Sequence, residues 1–572
     1  MPLRRYQKKI VSEIYKAWGE GKKCVMPVLP TGGGKTKVFT HLMGEYQGPS
    51  CAIAHRQELV SQISLALGYA GVRHRLIAAD QTIKTIRRLH MSEMGRVYVD
   101  EHSQRAVAGV DTLVKRDASD HWFARVGLGV QDEGHHVLQE NKWGDAYKMF
   151  PNAHWLLPTA TPLRADGKGC GRDADGFTDA IIEGPSAREL INEGFLTDYR
   201  IFGIESDIDY SQVPVTASGD LSPIKLSAAF HESGTIVGDI VKHYLKLAPG
   251  KLGITFAVDV EAAKEIAAAF RNAGVPAEVI TAKTPVELRA SILRRFKNRE
   301  VLQLVNVDLF GEGFDLPALE VVSMARKTES FGLFCQQFGR ALRLMIAPEL
   351  MDVWDELTVE QRLAHIAQSS KPHAIIIDHV GNVIRHGLPD AARTWSLARR
   401  ERRSRGSADD VIPVRNCLNP ACMSIYERIY FRCPYCHWVP TPPSRTAPEH
   451  VDGDLTEYDP ELLRRMRGEA TRAVADAEIV TVPGGLSGLA AMHYAKHAQN
   501  SARAQVRLRA SIALWAGYQR HLGRPDSEAY RRFYFMFGID ILGAQSLRTD
   551  DAEALNIQIC SKLANDGVVS NV

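Results

Sequence analysis

Pro30-Thr-Gly-Gly-Gly-Lys-Thr36 is a glycine-rich segment that directly follows the apolar run Cys24-Val-Met-Pro-Val-Leu29. The apolar run is typical of a buried strand, and glycines let the backbone that follows approach a ligand closely. The N–H groups of Gly32, Gly33 and Gly34 can therefore converge on phosphate oxygens. A helix that begins after the glycines would add the positive end of its dipole. The stretch predicts a strand–loop–helix unit that holds a triphosphate, and it indicates an α/β fold.

The two residues after the glycines have the chemistry that a nucleotide requires. Lys35 can reach the β- and γ-phosphates of ATP, and the hydroxyl of Thr36 can bind Mg²⁺. Thr31 opens the loop, and we include it among the residues expected to bind the nucleotide. Leu29 stands where the general Gly-x4-Gly-Lys-Thr pattern has glycine. A glycine-rich turn is often only a turn, but the apolar run before it and the Lys-Thr pair favour phosphate binding.

An acidic segment, Asp132-Glu-Gly-His135, follows a second apolar run, Val126-Gly-Leu-Gly-Val130. Carboxylates at the end of a buried parallel strand lie at the same edge of the sheet as the phosphate loop. The aspartate can bind Mg²⁺ through water, and Glu133 can orient and deprotonate the attacking water. We expect the histidine that ends the segment to form a hydrogen bond across to a second domain, and His136 to be structural.

An arginine segment, Gln336-Gln-Phe-Gly-Arg-Ala-Leu-Arg343, carries two arginines three positions apart, which places both on one face of a helix. A guanidinium that reaches the γ-phosphate from another domain can raise the rate of hydrolysis about 10³–10⁵-fold. It also makes hydrolysis depend on domain closure. Two such arginines alone are more often surface ion-pair residues. With the other segments, we expect Gln336, Arg340 and Arg343 to complete an ATP site.

The chain of 572 residues is too long for a single hydrophobic core. Apolar runs alternate with helical stretches in two parts of the chain, which is typical of parallel sheets covered by helices. We therefore expect an α/β protein with two tandem parallel-sheet domains, a small zinc-ribbon-like element and a mostly helical C-terminal domain. The expected ranges are 1–200 and 201–390 for the sheet domains, 391–412 for a basic linker, 413–440 for a four-cysteine element and 441–572 for the helical domain.

The composition is that of an ordinary soluble protein, with 45% hydrophobic and 24% charged residues. The net charge of +3 is nearly balanced, so any affinity for nucleic acid must come from local patches. One such patch is the stretch Arg393–Arg405, where six arginines stand against one glutamate, although a solvated linker has the same composition. No apolar run approaches the roughly 18 residues that span a bilayer, and the start has no apolar signal region. We expect a cytoplasmic protein without membrane contact.

Four of the nine cysteines form the pattern Cys417-x4-Cys422-x10-Cys433-Pro-Tyr-Cys436. Four thiolates suit tetrahedral Zn²⁺, and metal binding would supply the folding energy that so short a segment lacks. We expect structural zinc, with His437 able to replace one thiolate; disulfides and an iron–sulfur cluster are the alternatives. Basic and aromatic residues near the cysteines suit stacking on exposed bases, or else they form the element's own small core. These residues are Arg415, Tyr426, Arg428, Tyr430, Phe431 and Arg432.

Seven segments of the chain resemble the motifs of superfamily 2 DEAD/DEAH-type helicases and follow one another in the order that is typical of that family. Together they span most of residues 1–390. Three of them are the phosphate loop, the acidic segment and the arginine segment, which matches Gln-x-x-Gly-Arg-x-x-Arg. The resemblance implies two RecA-like domains that hydrolyse ATP with Mg²⁺ and act on nucleic acid.

Two further segments resemble nucleotide-contacting motifs of the superfamily. Leu3-Arg-Arg-Tyr-Gln7 is similar to the element that reads adenine, which implies that Tyr6 and Gln7 contact the base. Val305-Asn-Val-Asp-Leu-Phe-Gly-Glu-Gly-Phe-Asp315 is similar to the segment that contacts both strand and nucleotide. By this resemblance Gly313 and Asp315 belong to the ATP site.

The remaining two segments resemble motifs that act on the nucleic-acid strand. Ala54-His-Arg-Gln-Glu-Leu-Val60 is similar to the motif that contacts the strand backbone, which implies His55 and Arg56 as contacts. Pro158-Thr-Ala-Thr-Pro162 is similar to the motif that couples the state of ATP to the grip on the strand. By this resemblance Thr159 and Thr161 belong to the nucleic-acid site.

Differences from the general superfamily pattern indicate which members of the superfamily the chain resembles most. The acidic segment reads Asp-Glu-Gly-His and not Asp-Glu-Ala-Asp, which looks more like the DNA-directed members. Arg5 stands where proline is common. The four cysteines after the second domain resemble RadD-like bacterial repair helicases and helicases of phage genomes, and Arg531-Arg-Phe-Tyr-Phe-Met-Phe-Gly-Ile-Asp540 looks like the phage type. The resemblance implies that the protein acts in a bacterial cytoplasm or a phage-infected host.

These patterns predict an ATP-dependent DNA helicase or translocase of replication, recombination or repair. Its expected partners are DNA with single-stranded or branched regions, and replication or recombination proteins. An RNA helicase, a motor that translocates or anneals without unwinding, and a non-catalytic nucleic-acid adaptor are the alternatives. The sequence does not separate DNA from RNA, because such motors grip the backbone and contacts to the 2′-OH cannot be read from it.

Overall fold

The computed structural model describes most of the chain in two compact units, Met1–Arg405 and Gly406–Val572. Within these units, the described residues are 3–117, 119–203, 208, 210, 212–216, 218–233, 236–307, 319–391, 393, 395–399, 413–439, 488–545, 547 and 549–566. None of the helices in these ranges is long and apolar enough to cross a membrane.

A seven-stranded parallel sheet forms the first half of the first unit, in the order β3-β4-β2-β5-β6-β1-β7. The central strands are buried from end to end, as expected for a parallel sheet with helices on both faces. The strands are β1 Cys24–Val28, β2 Ser50–Ala54, β3 Arg75–Ile77, β4 Arg105–Gly109, β5 Leu128–Gln131, β6 His154–Leu156 and β7 Ala180–Glu183.

Helices cover both faces of this sheet and form a hydrophobic cluster on each. One cluster includes Ile14, Phe39 and Ile63, and the other includes Trp122, Phe150 and Trp155. The helices are α1 Arg5–Gly19, α2 Lys35–Glu45, α3 Gln57–Tyr69, α4 Asp80–Met94, α5 Val110–Leu113, α6 His121–Arg125, α7 Lys142–Lys148 and α8 Ala187–Asn192.

A six-stranded parallel sheet forms the second half of this unit, in the order β10-β11-β9-β12-β13-β8. The strand of this sheet that comes first in the sequence is β8, which begins at Asp198 and pairs with β13. The second sheet therefore begins directly after α8. The strands are β8 Asp198–Gly203, β9 Gly253–Phe256, β10 Ala277–Ile280, β11 Gln303–Asn306, β12 Val321–Met324 and β13 His373–Asp378. The helices are α9 Pro223–Glu232, α10 Ile236–Leu247, α11 Val260–Asn272, α12 Val286–Lys297, α13 Phe331–Gly339, α14 Pro348–Met351, α15 Val359–Gln368 and α16 Asn382–His386.

The second unit contains the four-cysteine element and a helical bundle. An antiparallel pair of short strands, β14 Val414–Asn416 and β15 Ile425–Glu427, forms the element. The bundle core contains Leu508, Ile512 and Trp515 at helical spacing. The helices are α17 Gly488–His521, α18 Asp526–Phe537, α19 Ile541–Ala544 and α20 Thr549–Asn565. The predicted fold class, two parallel-sheet α/β domains followed by a cysteine element and a helical region, is confirmed.

A chain of three fully buried polar side chains joins α3 and α4 to the segment between them. The amide of Tyr98 donates to His90 Nδ1 (3.2 Å), so neutral His90 carries its proton on Nε2 and donates to Ser64 Oγ (3.0 Å). His74 Nδ1 donates to the carbonyl of Val72 (3.0 Å), so His74 Nε2 accepts from the Ser64 hydroxyl (2.6 Å). Each N–H and O–H group of these three side chains has an acceptor only when both histidines are neutral.

We predict that this buried chain destabilises the fold at acidic pH. Burial, with a smaller contribution from His90, lowers the pKa of His74 from 6.5 to about 4, although its hydrogen bond to the Val72 carbonyl opposes the shift. A histidine with a depressed folded-state pKa contributes stability above its unfolded pKa and loses it as the pH falls from about 6.5 towards 4. The loss is about 3 kcal/mol by linkage. His74→Gln should remove this part of the pH dependence of urea unfolding, whereas His121→Gln at an exposed site should retain it. Equal pH profiles for the two variants would contradict the assignment.

Candidate nucleotide-binding and nucleic-acid-binding sites

The phosphate loop runs from the end of β1 to Lys35, the first residue of α2. Gly32 and Gly34 have φ angles of +88° and +86°, which side chains rarely adopt. A Cβ at Gly34 would lie 2.3 Å from Gln7 Nε2, and one at Gly33 would lie 3.0 Å from the carbonyl oxygen of Pro30. Because space is absent and the backbone is left-handed, only glycine fits this loop.

The start of α1 is bound to the phosphate loop. The Tyr6 hydroxyl (2.9 Å) and Gln7 Nε2 (3.2 Å) both donate to the carbonyl of Gly33. The ring of Tyr6 packs edge-on against Phe195 at 5.3 Å, and burial raises the pKa of this tyrosine. The two predicted adenine contacts therefore lie beside the loop and form one wall of a cleft.

The carboxyl ends of four neighbouring strands carry four of the motif segments. These strands lie side by side in the order β2, β5, β6 and β1. Residues 55–60 follow β2, residues 132–135 follow β5, residues 158–162 follow β6 and residues 30–36 follow β1. Backbone hydrogen bonds join the segments: the amide of Leu29 donates to the Thr159 carbonyl (3.0 Å), and that of Gly134 donates to the Pro158 carbonyl (2.9 Å). Parallel strand order therefore brings these segments to one edge of the sheet.

The acidic segment is held in an unusual backbone conformation. Glu133 has a φ of +52°, and Gly134 has no room for a side chain, because a Cβ would lie 2.4 Å from Leu157 Cβ. Asp132 Oδ1 accepts the Glu133 amide (3.0 Å). His135 Nδ1 lies 2.9 Å from Thr159 Oγ1 and 3.5 Å from Glu133 Oε2, so this hydrogen bond connects two segments of the first sheet.

The arginine segment of the second sheet lies against the phosphate loop. α13 ends at Gly339, and a Cβ there would lie 2.4 Å from Thr31 Cβ. Arg340 begins a one-turn 3₁₀ helix, Arg340–Leu342, and is buried. The hydroxyl of Thr197 donates to the Arg343 carbonyl (3.4 Å), and the Thr197 amide donates to the Leu342 carbonyl (2.8 Å).

A cleft of about 570 Å³ separates the two sheets, and most of the predicted ATP-site residues line it. Seven basic and five acidic side chains line it, an excess that favours an anionic ligand. The residues predicted to bind ATP that line the cleft are Tyr6, Gln7, Thr31, Gly32, Gly34, Lys35, Thr36, Asp132, Glu133, Gln336, Arg340 and Arg343. Gly313 and Asp315 lie outside the described residues.

Sequence reasoning missed several residues of this cleft. Arg4, whose guanidinium lies 4.9 Å from the Phe195 ring, and Lys37 are basic residues next to predicted ones. Burial lowers the pKa of Lys37, and Arg4 contributes to the shift. Trp354 lines the cleft and donates from Nε1 to the Gly194 carbonyl (2.9 Å). Phe195 and Trp354 lie in no motif, so only the tertiary structure identifies them.

The predicted strand contacts lie next to the acidic segment. The His55 ring packs against those of His136 (5.6 Å) and Trp143 (6.4 Å), and His136 stacks on Trp143 at 5.3 Å and 21°. Arg56 is the N-cap of α3. Thr159 and Thr161 are buried, with Thr159 hydrogen-bonded to His135. His136, which the sequence indicated as structural, lies between the acidic segment and His55.

Two of the six arginines of Arg393–Arg405 are described, and both contact other residues of the first unit, to which they belong. The Arg393 guanidinium lies 3.8 Å from the centre of the Phe331 ring and donates to the His386 carbonyl. Arg399 pairs with Asp175 at 2.7 Å. The other four lie outside the described residues.

The sulfur atoms of the four cysteines of the C-terminal unit lie close enough together to bind one metal ion. They all lie within 4.8 Å of one another, with Cys417–Cys436 at 3.5 Å and Cys422–Cys433 at 3.8 Å. Zn–S bonds of about 2.3 Å place the sulfurs of a tetrahedral site roughly 3.8 Å apart. The donor set therefore fits Zn²⁺, whereas a disulfide would need S–S distances of about 2.05 Å.

The sequences of the two parallel-sheet domains each match a known protein family. Residues 1–164 match "Type III restriction enzyme, res subunit", and residues 237–345 match "Helicase conserved C-terminal domain". The "51.5 kDa protein" of a Lactococcus phage is 29% identical, over 71% of this chain and 76% of that protein.

Two further relatives carry helicase or translocase names. "Putative ATP-dependent helicase IRC3" of Saccharomyces cerevisiae is 28% identical, over 60% of this chain and 49% of the yeast protein. "DNA 3'-5' translocase XPB2" of Sulfurisphaera tokodaii is 22% identical, over 60% of this chain and 78% of that protein. The chain spans about half the length of the yeast relative.

Residues 1–164 and 237–345 therefore carry the two domains of a superfamily 2 helicase, the class of domain that hydrolyses ATP. The resemblance stated from the motifs is confirmed, including the likeness to phage proteins.

We predict that Gly339→Ala lowers ATP hydrolysis at least tenfold without unfolding the protein. The new Cβ would overlap Thr31 Cβ and push the arginine segment away from the loop, and displacements of about 1 Å can cost about 10²-fold in rate. Gly238→Ala is the matched control, since nothing lies within 4 Å of its Cβ position. Steady-state hydrolysis and thermal unfolding would be measured together. Wild-type hydrolysis by Gly339→Ala would show that this contact does not position the arginines.

Proposed function

We propose that this protein is an ATP-dependent DNA helicase or translocase that acts in replication, recombination or repair. The observation that carries the proposal is the cleft in which the phosphate loop, the acidic segment and the arginine segment meet. In this proposal residues 1–200 and 201–390 are the motor domains, 391–412 is a linker, 413–440 is the zinc element and 441–572 is the helical domain.

The residues of the cleft divide the work of phosphoryl transfer. The loop amides and Lys35 bind the phosphates, and the hydroxyl of Thr36 and the carboxylate of Asp132 hold Mg²⁺, which neutralises developing charge. Glu133 orients the attacking water and accepts its proton. Arg340 and Arg343 stabilise charge on the γ-phosphate, and Gln336 helps position them. Tyr6, Gln7 and Thr31 complete the nucleotide contacts, together with Gly313 and Asp315.

Strand binding is assigned to the edge of the first sheet next to this cleft. His55 and Arg56 contact the strand backbone. The Thr159 hydroxyl bonds His135, so Thr159 and Thr161 connect the acidic segment to that edge. Burial means that these two threonines act through their neighbours in this conformation and not by touching the strand.

DNA is favoured over RNA by three observations. The acidic segment reads Asp-Glu-Gly-His, and one relative is named a DNA translocase while the first domain matches a restriction-enzyme family. RNA remains the second candidate. Hydrolysis should rise with single-stranded or forked DNA more than with RNA at matched salt. Stronger stimulation by RNA would replace the proposal, and no stimulation by either would favour an adaptor. Strand-separation assays on the forked DNA then distinguish unwinding from translocation alone.

We predict that Lys35→Ala and Glu133→Gln abolish hydrolysis by different routes. Loss of Lys35 removes a phosphate contact, so nucleotide affinity should fall. Loss of the Glu133 carboxylate removes the base, so ATP should still bind while its hydrolysis falls at least about 10²-fold. Fluorescent-nucleotide binding separates the two, with Lys22→Ala at an exposed position as control. Equal loss of binding in both variants would contradict these roles.

We predict one zinc ion per chain, bound by the four cysteines, as the sulfur geometry favours. Cys433→Ser with Cys436→Ser should lose it in elemental analysis, because two of the four thiolates are gone. Cys560→Ser, at an exposed cysteine away from the cluster, should keep it. Wild-type protein without zinc, or a double variant that keeps it, would exclude this site.

A further inference from the structure

Exposed aromatic side chains are concentrated in one short stretch of the chain. Among the described residues, eight aromatic side chains are exposed, and four of them lie within residues 413–439. The two helicase domains, with many more described residues, contribute only Tyr15 and Tyr69. The four are Tyr430, Phe431, Tyr435 and Trp438, with 38%, 64%, 39% and 44% of their surface exposed.

The core of the four-cysteine element does not need these rings. Its buried cluster consists of Cys417, Cys422, Tyr426 and Cys433, so only Tyr426 among the aromatic residues serves as core. An element of 27 residues has a radius of gyration of roughly 8 Å, so the four exposed rings share a surface about 20 Å across. So many exposed aromatic side chains on so small an element favour an interaction site.

The charge around these rings is positive. Arg428 and Arg432 are exposed. The one carboxylate within 413–439 is Glu427, which is 5% exposed and pairs with Arg532 of α18 at 3.1 Å. Within residues 413–439 the exposed charged side chains are therefore arginines and not carboxylates, which is complementary to a polyanion.

The element is bound to α18 within the C-terminal unit. Arg531 Nη1 donates to the Ile429 carbonyl (2.6 Å), and its guanidinium lies 6.0 Å from the Phe431 ring. Arg532 joins Glu427 and Glu528 (2.9 Å) in a buried network. A fixed platform loses little conformational entropy when it binds a ligand.

We propose that this aromatic face, formed by the four rings with Arg428 and Arg432, binds single-stranded nucleic acid by stacking on unpaired bases. Aromatic rings stack on bases of any sequence, and the arginines pair with the phosphates beside them. The inference rests on the proposed function, since a motor that separates or tracks DNA strands exposes unpaired bases. Sequence-independent stacking suits a strand that changes position with each ATP.

The test is binding of a fluorescent 20-nucleotide oligo-dT to the full-length protein without ATP. Phe431→Ala with Trp438→Ala should weaken binding roughly tenfold or more, because each stacked base contributes about 1–3 kcal/mol. The same variant should bind blunt duplex DNA as wild type does. Tyr15→Ala with Tyr69→Ala is the matched control, since it removes two equally exposed rings from the helicase domains.

An abasic strand of the same length distinguishes base stacking from charge. Wild-type protein should bind it as weakly as the double variant binds oligo-dT, and the variant should show no further loss. Arg428→Gln with Arg432→Gln should lower the log–log salt slope by about 1.4. Elemental zinc and thermal unfolding verify that each variant keeps the element folded.

Unchanged oligo-dT binding by the folded aromatic variant would overturn the proposal, and so would equal losses for oligo-dT and duplex. An aromatic variant that keeps oligo-dT binding but loses a protein partner would assign the face to that partner. Stimulation of hydrolysis by DNA in the wild-type protein is measured separately. If it fails, the proposed function fails; if it holds while oligo-dT binding is unchanged, only the aromatic face is refuted.

Discussion

The contact between Gly339 and Thr31 limits how closely the two parallel-sheet domains can meet, and the rest of the ATP site depends on it. With hydrogen as its side chain, Gly339 lets the end of α13 rest on the phosphate loop. Arg340 follows at the next position and Arg343 one turn later, where Thr197 bonds the backbone at Leu342 and Arg343. The backbone is thus fixed on both sides of the arginines, so their reach towards a phosphate is set by the domain contact.

The order of strands in the first sheet explains why ATP and strand residues are neighbours. β2, β5, β6 and β1 are adjacent, so the segments after them form one row at the carboxyl edge. Within that row, the Thr159 hydroxyl bonds His135, and the His135 ring lies 4.2 Å from that of His136. His136 in turn packs against His55. A continuous path of packed side chains therefore joins the acidic segment to the predicted strand contacts, and a shift in one would displace the other.

The buried strands and the phosphate-binding residues could be predicted from the sequence, because both require particular types of residue. Cys24–Val28 and Ser50–Ala54 are buried on both faces, so they appear in the sequence as apolar runs. Triphosphate chemistry likewise demands glycine, lysine and carboxylates in fixed spacing. Short strands such as Arg75–Ile77 carry too few residues for a pattern, and their place in the sheet comes from pairing with β4.

The walls of the cleft could not be predicted, for a different physical reason. Phe195 and Trp354 contribute shape, and many apolar residues supply shape equally well, so no spacing identifies them. The Gly339–Thr31 contact joins residues 308 positions apart, and a glycine in a helix end is by itself unremarkable in sequence. The same limit applies to the buried Ser64–His74–His90 chain, whose protonation is set by burial and by which carbonyl or amide each ring nitrogen meets. Sequence therefore specifies groups that perform chemistry, whereas the distances at which they perform it are decided by contacts between parts of the chain that fold together.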